Sequence, residues 1–74
     1  MSIEYRFRFK NGDKTTLEYH EPLTNGQIND IEFTIRQGIR KKELFVLKNE
    51  EGTLGINGAE LTAYSRARWE PYET

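Results

Sequence analysis

The chain has 74 residues, 31% of them charged and 35% hydrophobic, with no cysteine and a formal net charge of −1 from 11 basic and 12 acidic side chains. That length holds one small domain, which buries only about 60–65% of the surface of its unfolded form and therefore favours association with a second copy. Disulfides, thiolate chemistry and zinc ribbons are excluded, no global field draws the chain to nucleic acid, and the longest apolar run, Leu44 to Leu47, falls far short of the ~20 residues that cross a bilayer.

The first residues, Met1 to Arg6, carry no apolar signal core, which points to the cytoplasm. Ile3, Tyr5, Phe7 and Phe9 then alternate with Glu4, Arg6, Arg8 and Lys10, a period-two strand with one apolar and one charged face. Thr15 to His20 repeats the pattern, with Leu17 and Tyr19 opposite Thr16, Glu18 and His20 in phase, and Asn11-Gly12-Asp13 between the runs signals a hairpin. A two-residue Asn-Gly loop would set Arg6 against Leu17 and Tyr5 against Glu18. A three-residue loop, Asn11 to Asp13, sets Phe7 against Leu17, Tyr5 against Tyr19, Arg6 against Glu18 and Glu4 against His20. The second register matches like with like and is the one expected.

Thr24 and Gln27 form a capping box, and Leu23 with Ile28 has the spacing of a hydrophobic staple. The pattern predicts a helix from about Asn25 to Gln37, with Ile28, Ile31 and Ile35 facing inward, Phe33 on the flank and Gly38 as a left-handed C-cap. Leu44 to Lys48 follows as a strand apolar on both faces, hence a central one. Asn49-Glu50-Glu51-Gly52 reads as a hairpin turn, and Thr53 to Asn57 as the next strand. Gly58 interrupts the pattern before a long last strand in which Leu61, Ala63, Ser65, Ala67 and Trp69 alternate with Thr62, Tyr64, Arg66 and Arg68. The expected fold is a single α+β domain spanning residues 1–74, with an antiparallel sheet of about five strands in the order β-β-α-β-β-β, one helix packed on one face, and a frayed tail from Pro71 to Thr74.

The candidate site follows from that pattern. If the first and last strands are neighbours, Arg6, Arg8, Arg66 and Arg68 converge with Tyr64 on the helix-free face. Arginine forks suit phosphate or carboxylate and stack on rings or bases; the same face would serve equally as a solvated surface paired by Glu4, Glu18 and Glu60. Arg36, Arg40, Lys41 and Lys42 make a secondary basic patch, suited to a weak phosphate contact or simply to the helix C-terminus. His20, the only histidine, reads as a cross-strand partner of Glu4, since neither a catalytic set nor a metal set surrounds it. Gly52, Gly55 and Gly58 fit turns and bulges rather than a phosphate loop. Trp69, Tyr72 and Tyr5, near the chain ends, suit either the core or a self-association surface.

Glu18-Tyr19-His20, Leu23, a polar cap and Asp30-Ile31-Glu32, about fifteen residues together, resemble a stretch of the small uracil-DNA glycosylase inhibitors of phi29-like phages. The hairpin–helix–hairpin layout is similar to short accessory proteins of Gram-positive phages and prophages. That family is acidic and mimics DNA, whereas this chain is near neutral, so no functional residue is transferred. The resemblance implies a small mobile-element protein that binds a host factor. The combined expectation is a non-enzymatic protein without metal or cofactor, dimeric, that sequesters an anionic small molecule such as a signalling nucleotide or blocks a host protein. A nucleic-acid-binding domain that uses the sheet face, and a purely structural assembly protein, are the alternatives, and no membrane association is expected.

Overall fold

The computed structural model describes residues 2–69, with side chains as far as Ala67. The predicted frayed tail, Tyr72 and the side chains of Arg68 and Trp69 lie outside the described part. The elements are β1 (Ser2–Phe9), β2 (Lys14–Tyr19), α1 (Asn25–Lys41), β3 (Leu44–Asn49), β4 (Gly52–Asn57), a 3-10 turn (Gly58–Glu60) and β5 (Leu61–Trp69). The α+β class and the element order are those the sequence predicts. All strand pairs are antiparallel, but the five strands divide into a three-stranded sheet, β2-β1-β5, and a separate β3-β4 hairpin. β3 is therefore not central. Phe45 and Leu47 are buried, while Leu44 (70%) and Val46 (48%) remain exposed.

The first hairpin corrects the expected register. Tyr5 faces Leu17, Arg6 faces Thr16, Phe7 faces Thr15 and Glu4 faces Glu18, a slide of two residues along β2. An even slide leaves every side chain on its intended face, so the apolar pattern cannot distinguish the two registers. The turn chemistry does. The three-residue loop is Lys10 to Gly12, closed by Phe9 N–H donating to Asp13 O (2.9 Å) and Gly12 N–H to Phe9 O (3.0 Å). Gly12 takes the left-handed position at φ +93°, and Asn11 Oδ1 accepts the Asp13 N–H at 2.9 Å. Tyr5 and Tyr19 still meet diagonally, edge to face, with centroids 6.1 Å apart. His20 does not pair with Glu4; its backbone N–H donates to the Glu50 carboxylate at 2.8 Å.

The capping box forms as the sequence predicts: Thr24 Oγ1 accepts from Gln27 N–H (3.1 Å) and Gln27 Oε1 accepts from Thr24 N–H (2.8 Å). The far end differs. The helix runs on to Lys41, and the left-handed cap is Lys42 at φ 57°, not Gly38. Gly38 serves a close approach instead. A Cβ there would overlap the Phe45 ring, and one on Gly58 would overlap the Gly38 carbonyl. Glu43 N–H donates to Gly38 O (3.0 Å) and Gly58 N–H to Glu43 O (2.9 Å), which ties α1, β3 and the 3-10 turn into one knot. The core joins Ile3, Tyr5, Phe7, Leu17 and Tyr19 of the sheet to Ile28 and Ile35 of the helix and to Phe45, Leu47, Ile56 and Leu61. Among the described residues no helix is long and apolar enough to cross a membrane.

Candidate functional site

β1 and β5 are neighbours, the condition on which the arginine face depended. Glu4 pairs with Ala67, Tyr5 with Arg66, Arg6 with Ser65, Phe7 with Tyr64 and Arg8 with Ala63; the next pair is Phe9 with Leu61. Thr62 is the extra residue of a β-bulge, and its hydroxyl donates to Arg8 O at 3.0 Å. One inserted residue reverses the phase of everything after it. Leu61 faces the core as expected, but beyond the bulge Ala63, Ser65 and Ala67 turn to the helix-free face, while Tyr64 and Arg66 turn to the helix side.

The expected convergence of Arg6, Arg8, Tyr64 and Arg66 on one face is therefore corrected. Tyr64 stacks on Phe7, with centroids 6.5 Å apart and planes at 27°. Arg66 Nη1 donates to Glu32 Oε2 of the helix at 2.5 Å. Tyr5 donates its hydroxyl to the same oxygen at 3.3 Å, and Arg36 lies 3.6 Å from the other carboxylate oxygen. Burial, and next the charge of Glu32, push the Tyr5 phenol up to about 12. This is a clasp between helix and sheet centred on Glu32, whose partners on β1 and β5 lie 27 and 34 residues away in sequence, so no local pattern along the chain marks it. Arg68 takes the register position opposite Ile3.

What remains on the helix-free face is Arg6 and Arg8, joined by a residue not singled out from the sequence. Lys14 lies directly opposite Arg8, a neighbour that only the corrected hairpin register reveals. These three cations, with Thr16, Ala63 and Ser65, line an open trough of about 510 Å³. The small side chains of Ala63 and Ser65 leave its floor clear. Arg6 pairs with Glu4 at 3.0 Å. Among the described residues Arg8 and Lys14 have no carboxylate partner, and Glu60 meets none of the arginines.

The secondary basic patch does not form one site. Arg36 is drawn to Glu32, Arg40 donates to Gln37 Oε1 at 2.9 Å, and Lys41 and Lys42 are exposed at the helix end. At the opposite end, Glu50 accepts backbone N–H groups in the β3–β4 turn and after β2, which lowers its pKa. Burial and then Glu50 raise the Tyr19 phenol, whose oxygen has no hydrogen-bond partner among the described residues. No group of three or more histidine, aspartate or glutamate side chains is placed to hold a metal ion among the described residues. Comparison with protein families, with characterised proteins and with solved structures found no match to this chain.

Proposed function

We propose that the chain is a non-enzymatic binding protein that takes a small phosphate-bearing anion, of nucleotide type, on the helix-free face of its three-stranded sheet. One observation carries the reading: Arg8 and Lys14 oppose each other across β1 and β2, beside Arg6 and an open trough, and among the described residues no carboxylate pairs with either. A guanidinium fork and an ammonium on one rigid surface supply directed charge-assisted hydrogen bonds to phosphate oxygens, and the hydroxyls of Thr16 and Ser65 add neutral donors. The phage-like layout supports sequestration of a host factor, and the limited core supports a dimer as the working form. A nucleic-acid platform finds less support, because stacking needs exposed rings and no described aromatic side chain stands on this face.

Native mass spectrometry of gently purified protein, followed by titration with a nucleoside diphosphate, tests the proposal. The expected result is a ligand of a few hundred daltons, or saturable binding, on an even-numbered oligomer. Arg8→Ala with Lys14→Ala should weaken binding about tenfold or more, and Arg66→Ala should leave it unchanged. Binding indifferent to Arg8 and Lys14 overturns the assignment. Oligonucleotide affinity that falls steeply with salt would transfer the face to nucleic acid, and a stable oligomer that takes up no anion would leave assembly as the function.

A further inference from the structure

We propose a second binding surface, between the C-terminal half of α1 and β3, that docks an acidic amphipathic segment of a protein partner. Phe33 (58%), Leu44 (70%) and Val46 (48%) are the exposed large hydrophobics of the described chain. Phe33 and Leu44 line the same groove of about 480 Å³, with Gln37, Arg40, Lys41 and Glu43 on its walls. Val46 continues the apolar surface two residues further along the same face of β3. Cations at a helix C-terminus are accounted for by the helix dipole. The dipole gives no reason to leave a phenylalanine and a leucine in water beside them.

Charge and shape select the occupant. Among the described residues Arg40 meets only the Gln37 amide, and neither Arg40 nor Lys41 has a carboxylate partner. A peptide that buries an apolar side chain between Phe33 and Leu44 and brings carboxylates to Arg40 and Lys41 satisfies both halves of the groove. A second copy docked groove to groove would offer Arg40 and Lys41 a single carboxylate of the groove, Glu43, and so would neutralise only part of the charge. An anionic lipid surface would repel the Glu43 carboxylate, which stands on the groove wall. The surface is separate from the Arg8–Lys14 trough, so the two proposals stand or fall independently.

The test is an NMR titration of the isotope-labelled chain with a synthetic acidic peptide carrying leucines at i, i+3, i+4 and i+7. Saturable shifts are expected at the amides of Phe33, Gln37, Lys41 and Leu44. Leu44→Asp, and Arg40→Glu with Lys41→Glu, should each weaken binding about tenfold or more. All three positions are exposed, so circular dichroism and thermal midpoint should be retained, and a lysine-for-glutamate peptide should not bind. The proposal is overturned if no saturable shift occurs, if both variants bind as well as the parent, or if the shifts fall at Arg6, Arg8 and Lys14. It is equally overturned if vesicles of anionic lipid, or raised concentration of the chain alone, perturb the groove while the peptide does not.

Discussion

Arg6 and Arg66 sit on hydrogen-bonded neighbouring strands, one residue out of step, and do opposite things. Arg6 extends from β1 into solvent at the edge of the trough, its side chain 61% exposed and, among the described residues, held only by Glu4. Arg66 leaves β5 on the other face and reaches Glu32, whose side chain is only 19% exposed and also receives Tyr5 and Arg36. One guanidinium is thus available to a ligand and the other is committed to holding helix on sheet. Residue type does not distinguish them. The bulge at Thr62 does, by setting which way β5 faces after it.

Deleting Thr62 would break the contrast most severely. Without the extra residue Tyr64 and Arg66 turn outward, the Phe7 stack and the Glu32 ion pair are lost together, and small residues face the core. We expect a loss on the order of 3–5 kcal/mol or outright unfolding, read from the urea midpoint. Thr62→Ala, which keeps the bulge and removes one hydroxyl, should cost only about 1 kcal/mol.

Glu32→Ala comes next. It leaves the buried Tyr5 hydroxyl and Arg66 without their shared acceptor and should cost about 2–3 kcal/mol by chemical denaturation. Alkaline titration tests the same clasp without mutation. The Tyr5 phenol ionises at about 12 in the folded chain against 10.0 unpaired. Its contribution is therefore complete below pH 10 and is lost as pH rises through the folded value. Over that window the unfolded state has already released the proton that the folded state keeps, so stability should fall by about 1.4 kcal/mol per pH unit, more steeply than in Tyr5→Phe.

The smallest effects separate the two arginines themselves. Arg66→Ala should destabilise by about 1 kcal/mol, because its ion pair is partly shielded, and Arg6→Ala by no more than about 0.5 kcal/mol. Thermal midpoints of the two variants side by side check this. Equal losses would mean that the faces are not functionally distinct.

Much of the architecture was legible along the chain because it rests on local chemistry. Thr24 and Gln27 announce the helix start, since the orphan N–H groups they satisfy lie within one turn. The alternation of Tyr5 and Phe7 with Arg6 and Arg8 sets the faces of β1, since a strand has period two. Gly38 was misread for a physical reason: a glycine near a helix end looks the same whether it serves a left-handed cap or the approach of Phe45 and Gly58. Two of the three trough cations of the candidate site were legible too. Arg6 and Arg8 belong to it, Lys14 was missed with the hairpin register, and Tyr64 and Arg66 were assigned to it through unbroken alternation.

Periodicity and a cap spanning a few residues suffice to set the α+β class, the element order, the helix start and the faces of β1 and β2. Long-range packing sets β3 and β4 apart from the main sheet, carries the helix past Gly38 and reverses the faces of β5 at Thr62. Each of those outcomes depends on how two distant segments meet. Phe45 must lie against Gly38, and Leu61 must share the core face with Phe9 while Tyr64 shares it with Phe7. A single inserted residue is the least costly way to satisfy the last two contacts together, and hydrophobic alternation along one strand contains no record of it.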